Sequence, residues 1–143
     1  MLARRELSAA QLRERLVGRE CSEDEADQVV RALQRDGAVD DARAARAYAR
    51  TSMTIKGRGR VRVERELDAM GIARDTARQA LAETLADIDE TDLIERALAK
   101  KLRTRTPDAA AVRRAHAALI RLGFPPAAVA AALRRRGRDI GDD

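Results

Sequence analysis

The sequence predicts an all-α chain of tandem three-helix repeats in an elongated array. Three observations predict it. Among 143 residues only Tyr48 and Phe124 are aromatic, while Ala, Leu and Arg dominate. Strands lean on β-branched and aromatic residues, whereas Ala, Leu and Arg favour helices. Apolar residues recur at i, i+3, i+4 and i+7, the stripe of an amphipathic helix. That stripe itself recurs. Leu12, Leu16, Cys21, Ala26 and Val30 are matched 51 residues on by Val63, Leu67, Ile72, Ala77 and Leu81. A further 52 residues on stand Ala115, Leu119, Phe124, Val129 and Leu133. Repeats of this kind bury their apolar faces against neighbours, and a core of Ala, Leu and Val is thin, which favours an elongated molecule.

The elements follow in order. Ser8 with Gln11, and Ser22 with Glu25, read as capping boxes, in which serine and the later side chain satisfy free N–H groups at a helix start. Leu12 and Leu16 share a face behind the first; Ala26, Val29, Val30 and Leu33 share one behind the second. Residues 8–36 are therefore two short helices, and Gly37 is the stop. Asp40 caps a third helix with Ala45, Tyr48, Ala49 and Ser52 on one face, fading near Lys56-Gly57. Val63, Leu67 and Met70 mark the fourth, ended by Gly71. Ala77, Ala80, Leu81 and Leu85 mark the fifth. Asp89 caps the sixth, which carries Leu93, Ile94, Ala97 and Leu98. Thr106-Pro107 starts the seventh, since proline suits the first helical position. Pro125-Pro126 opens the eighth, which holds Val129, Ala132 and Leu133 and ends near Gly137.

The repeat unit is one long helix followed by two short ones. Residues 39–88 form one unit and 89–138 another, with 139–143 a flexible tail. Residues 1–38 form a first unit that lacks most of its long helix and keeps only its last turn, "MLARREL". Without that helix its apolar face would stand uncovered, so either it is capped in another way or the start of the sequence is not the natural start. All of these are expected to make one continuous structural unit.

The formal net charge is +5 and it is unevenly spread. Residues 1–50 hold ten basic and ten acidic side chains, 51–100 nine and ten, and 101–143 ten and four. A basic end points to an acidic partner, nucleic acid or protein. The single cysteine, Cys21, excludes an internal disulfide and suggests a reducing compartment. No apolar run approaches the ~20 residues of a membrane span, and "MLARRELSAA" lacks the apolar segment of a signal peptide. A cytoplasmic monomer without a membrane partner is expected.

The segments "DDARAARAYAR" and "KGRGRVRVERELDAMGI" resemble the RecX family of regulatory proteins. The family pattern is an Asp-Asp pair, an Arg, an aromatic-Ala step, a Gly-x-Gly segment, then a basic residue, an aliphatic residue and Glu-Leu leading to Gly-Ile. Asp40, Asp41, Arg43, Ala45, Gly57, Gly59, Arg62, Val63, Glu66, Leu67, Gly71 and Ile72 fill those places. "LARRELSAAQLRERLVGREC" also looks like the family's first unit. No single motif is specific; the ordered set is, and it spans nearly the whole chain. Ala44 departs from it, standing where the family usually has a large aromatic. The resemblance implies a curved, all-helical repeat protein that binds the RecA-DNA filament in its groove and inhibits strand exchange and ATP hydrolysis. It implies roles in recombination, DNA repair and the SOS response, with no cofactor and no catalysis.

"KGRGRVRVE" lacks the spacing, the Ser/Thr and the strand of a P-loop, and lacks the third glycine of a dinucleotide fingerprint. Its glycines read as a break between helices. Around that break Lys56, Arg58, Arg60, Arg62 and Arg65 can meet phosphates or a carboxylate-lined groove; otherwise they form a solvated loop. Lys100, Lys101, Arg103 and Arg105 form a second candidate, although a helix C-terminus favours cations in any case. Arg134, Arg135 and Arg136, with Arg138, form a third. Three consecutive residues cannot share one helix face, so at least one should be solvated. His116, the only histidine, lies at the edge of an apolar face and has no partners for a metal. Cys21 and Tyr48 read as core residues, and no carboxylate pair suggests acid/base work. The partner expected from resemblance is the RecA filament, with single- or double-stranded DNA touched through phosphates. The alternative is a stand-alone helical DNA-binding protein or transcription regulator, although no helix clusters Arg, Asn and Gln as a recognition helix would.

Overall fold

The computed structural model describes residues 6–103 and 107–141, with side chains up to Gly137. Met1–Arg5 of the expected opening turn, Arg105, Thr106 and the last two residues of the expected tail lie outside the described residues, as does the side chain of Arg138. The described residues form eight helices and no strand: α1 (Ala9–Val17), α2 (Glu23–Arg35), α3 (Asp41–Thr54), α4 (Arg60–Ala69), α5 (Arg74–Asp87), α6 (Glu90–Lys101), α7 (Ala109–Arg121) and α8 (Pro126–Gly141). They group into two compact units, residues 1–50 with 64–84 and residues 51–63 with 85–143.

In the first unit, Ser8 makes both halves of a capping box with Gln11. Its hydroxyl is fully buried and also donates to the Met70 carbonyl. Asp41 accepts from the Ala9 N–H at 2.8 Å, so the start of α1 is tied to the start of α3. At α2 the structure records the serine half of the expected box, Ser22 Oγ accepting from Glu25 N at 3.1 Å. Glu23, Asp24 and Glu25 in the first turn complement the helix dipole. Asp40 accepts from Arg43 N at 3.1 Å at the start of α3. The Arg43 guanidinium pairs with Glu6 and donates to the carbonyls of Gly37 and Ala38 at 2.9 and 3.1 Å. Its pKa is raised, chiefly by the hydrogen bond to Glu6. The buried apolar set is Ala26, Val30, Ala44, Ala45, Ala49, Leu67, Met70, Ile72, Ala77, Ala80 and Leu81. Ala44 is only 2% exposed, so the small residue sits where it packs fully.

The second unit is built around Ile94, Leu98, Leu102, Ala115, Leu119, Phe124, Val129 and Ala132, with Leu93, Leu122 and Leu133 packed against them. Asp89 caps α6 through Asp92 N, and Asp108 caps α7 through Ala111 N at 2.7 Å. The seventh helix thus starts later than Thr106-Pro107 suggests, because the Asp108 carboxylate satisfies a first-turn N–H that proline cannot. The eighth continues past Gly137 to Gly141; one glycine costs a helix only about 1 kcal/mol.

The repeat register is visible in the backbone. Glu20, Gly71 and Gly123 all have positive φ, at 66°, 77° and 99°, and stand 51 and 52 residues apart. The stripe is covered unevenly. Val63, Leu67, Ile72, Ala77 and Leu81 are buried, as are Ala115, Leu119, Phe124 and Val129. In the first repeat Leu12, Leu16 and Cys21 are half-buried, and Val29, expected on the apolar face, is 42% exposed.

Candidate partner-binding groove

The segment joining α3 to α4 leaves its helix by a short run of backbone hydrogen bonds. The N–H groups of Ile55 and Lys56 both donate to Thr51 O, at 3.0 and 3.1 Å, and Arg58 N donates to Ser52 O at 2.9 Å. Gly57 supplies the left-handed conformation of the turn, with φ 68° and open space around it. The chain then meets the α7–α8 turn: Gly59 N donates to Leu122 O at 2.7 Å and Val61 N to Gly123 O at 2.9 Å. Five N–H groups of the segment are therefore already bound to protein carbonyls. A phosphate cradle needs such groups free and convergent, so the glycines do not make one. Gly57 is the break the sequence suggests. Gly59 does a different job, because a Cβ there would collide with Gly123 and the Phe124 nitrogen.

This turn forms one wall of a groove of about 230 Å³. Met53, Leu93, Ala97, Leu122 and Phe124 line it with apolar surface, Lys56, Lys100 and Lys101 supply the charge, and Arg96 also lines it but is paired with Asp92. Leu93, Ala97 and Lys101 stand at i, i+4 and i+8 of α6, with Arg96 and Lys100 beside them, so one helix face delivers both wall and charge. Ile55 stands at this edge and is 79% exposed.

The structure brings Lys56 of the first candidate cluster together with Lys100 and Lys101 of the second. It distributes the remaining candidates elsewhere. Arg60 pairs with Glu90 at 3.3 Å. Arg58 and Arg62 are half-buried, and the backbone and Cβ of Arg62 lie against Gly123. Arg65 is exposed and belongs to the first compact unit. Arg103 is exposed just beyond the end of α6, and Arg105 lies outside the described residues. Arg134 is exposed, while Arg135 and Arg136 both engage Glu95, at 3.5 and 3.7 Å. Arg96 was not singled out from the sequence; it pairs with Asp92, one turn before it, at 2.9 Å.

Among the described residues no group of three or more His, Cys, Asp and Glu could hold a metal ion, and none of their helices is long and apolar enough to cross a membrane. His116 is half-buried, at the boundary position its repeat register suggests.

Residues 40–81 match the family model described as RecX, second three-helix domain. The chain is 33% identical over 114 residues to a protein named Regulatory protein RecX from Geobacillus kaustophilus, covering 78% of this chain and 42% of that one. It is 35% identical over 81 residues to a protein of the same name from Chromohalobacter salexigens, covering 57% and 53%. The chain thus spans about half the length of the curated relatives it matches. A crystal structure of RecX from Lactobacillus salivarius superposes with a TM-score of 0.80 at 16% identity, covering 92% of this chain and 86% of that one. A crystal structure of regulatory protein RecX gives 0.76 at 18%, covering 86% and 61%.

Proposed function

We propose that this chain, which carries the second three-helix domain of the RecX family over residues 40–81, regulates the RecA recombinase by binding the RecA-DNA filament. It inhibits strand exchange and ATP hydrolysis, and so modulates recombination and DNA repair in the cytoplasm. The observation that carries this reading is the RecX domain match; the groove supports it, because apolar walls with a cationic rim suit an acidic protein surface better than a reaction. The mechanism is occupancy without catalysis. The repeat array lies along the filament groove, its cations facing carboxylates or DNA phosphates. There it competes with duplex DNA or blocks the subunit motions that ATP turnover needs. Steering by the net charge of +5 makes association salt-sensitive.

The test is DNA-stimulated ATP hydrolysis by the recombinase of the same cell, titrated with this protein. A fall at substoichiometric protein is expected if filament growth is blocked, and a fall near saturation if the groove is coated. Unchanged hydrolysis at saturating protein, with tight binding to one duplex sequence, would instead identify a stand-alone DNA-binding protein.

A further inference from the structure

The groove beside the α3–α4 turn has features that do not suit a nucleic acid. Phe124, the one aromatic at its wall, is 2% exposed, so no ring face is free for a base to stack on. Its volume of about 230 Å³ lies below the roughly 300–1,000 Å³ of small-molecule sites and suits one or two aliphatic side chains. Ile55, at its edge, keeps 79% of its surface in water. An isoleucine in that position gains by burial, and a phosphate backbone cannot supply apolar cover. The rim charges complete the pattern. Lys56, Lys100 and Lys101 are exposed, and among the described residues none that lines the groove is a carboxylate; Asp92, outside the lining, pairs with Arg96. Lysines are point charges on flexible stems and do not demand the fixed fork geometry of an arginine clamp, so they suit carboxylates on an adaptable chain.

We propose that this groove docks a short acidic segment of a partner protein, one aliphatic side chain of which lies against Ile55 while flanking carboxylates meet Lys56, Lys100 and Lys101. The proposal deepens the filament-binding reading and rests on it only for the identity of the partner.

The experiment uses the full chain and three fluorescent probes. They are a twelve-residue peptide of two leucines flanked by glutamates (length set at about three helical turns), the same peptide with glutamines, and an oligo-dT strand. Fluorescence anisotropy is expected to show salt-sensitive binding of the glutamate peptide and at least about tenfold weaker binding of the glutamine peptide. Ile55→Gln, which removes apolar surface without changing charge, should weaken the glutamate peptide about tenfold. Lys100→Glu with Lys101→Glu should weaken it at least as much. Arg113→Glu with Arg114→Glu, the same charge change at exposed α7 positions outside the groove, should leave the short-range affinity within about threefold. Circular dichroism of each variant establishes that the helices are intact. Absence of peptide binding, equal binding of the glutamine peptide, or indifference to Ile55→Gln would overturn the proposal. So would displacement of bound peptide by oligo-dT with equal loss of both on Lys100/Lys101 reversal alone. Recombinase ATP hydrolysis, measured in parallel, separates the two readings. Inhibition without peptide binding removes the groove proposal and leaves the filament reading. Peptide binding without inhibition removes the filament reading and leaves the groove.

Discussion

Gly59 and Gly123 meet backbone to backbone. Gly59 N donates to Leu122 O at 2.7 Å, and a Cβ on Gly59 would overlap the Gly123 carbonyl group. Gly123 is hemmed in from the other side, because a Cβ on it would strike Arg62, and its φ of 99° already disfavours any side chain. The neighbours are main-chain atoms that cannot step aside. Gly59→Ala should therefore cost about 2 kcal/mol or more, the upper range of overpacking. Gly57→Ala, with a similar-looking sequence context but open space around it, should cost only about 1 kcal/mol for its positive φ. Urea denaturation followed by circular dichroism checks the order. Equal costs at the two positions would show that close approach at Gly59 contributes nothing.

The same junction occurs one repeat earlier in different chemistry. Ser8 is 51 residues before Gly59, and Met70 is 52 before Leu122. Where Gly59 offers its backbone N–H to Leu122, Ser8 offers its buried hydroxyl to Met70, and its oxygen also accepts from Gln11 N at 3.1 Å. Ser8→Ala removes both and leaves the Met70 carbonyl short of a donor. The expected loss is about 1–3 kcal/mol, a helix cap together with a buried hydrogen bond. A loss below a few tenths, measured by the same denaturation, would show that water replaces the hydroxyl.

Helix positions and caps were legible because their signals are local. Ser8-x-x-Gln11, Asp40 and Asp89 act within one turn of themselves, and the apolar stripe declares its own period. The candidate groove was not legible in that way. The groove joins residues near 55, 97 and 122, and nothing in "MTIKG" or "RALAKK" announces that they meet. The role of Gly59 depends on a turn 64 residues away and is invisible in "KGRGR". Arg135 and Arg136 are contiguous cations in the sequence, but both pair with Glu95, far earlier in the chain. Asp108 displaced Thr106-Pro107 as the helix start because a carboxylate cap outcompetes a proline signal, a contest that spacing alone does not settle.

Charge pairing has been exchanged between repeats. Arg46 faces Glu83 at 3.9 Å in the first unit, and Glu95 faces Arg135 at 3.5 Å in the second. The positions correspond, at 49 residues along the long helix and 52 along the last short one, with the signs reversed. These pairs are partly exposed, so each contributes at most about 0.2–1 kcal/mol. Glu95→Gln should cost more than Glu83→Gln, because Glu95 holds two arginines. The difference should shrink in high salt as screening removes the repulsion left between Arg135 and Arg136. Thermal melts at low and high ionic strength check it, and a salt-independent difference would mean that packing, not charge, is responsible.

Arg43 carries a pH prediction. Its pKa is raised, first by the hydrogen bond to Glu6 and then by that group's charge. A raised folded-state pKa contributes stability that is fully present below the unfolded value and is lost only as pH rises through the folded one. The clamp on Gly37 and Ala38 should therefore be constant across neutral and mildly alkaline pH. Arg43→Gln should lower the melting midpoint by the same amount throughout that range. A midpoint difference that grows or vanishes between roughly pH 6 and pH 9 would show that another group governs the turn.

The last prediction concerns which cations matter for binding. The loop arginines of "GRGRVR" are the obvious targets in the sequence, but two are committed to the fold. Arg60 pairs with Glu90, whose side chain is 20% exposed, and Arg62 packs its Cβ and backbone against Gly123. Reversing Arg58, Arg60 and Arg62 together places a carboxylate against Glu90 and should lower stability along with activity, so loss of inhibition in that variant would not identify a contact. Lys56, Lys100 and Lys101 are exposed, and among the described residues none that lines the groove they rim is a carboxylate. Changing these three to Glu should leave helicity intact and lower the melting midpoint only modestly, because Lys100 and Lys101 lie in the last turn of α6, where the dipole favours cations. It should raise the concentration needed for half-inhibition of recombinase ATP hydrolysis at least about tenfold, with a weaker salt dependence, as expected for rim charges that steer association. Arg135→Glu with Arg136→Glu should do the opposite, lowering stability through Glu95 while leaving inhibition per folded molecule intact. Unchanged inhibition by the triple lysine variant, with its fold preserved, would move the contact surface away from the groove.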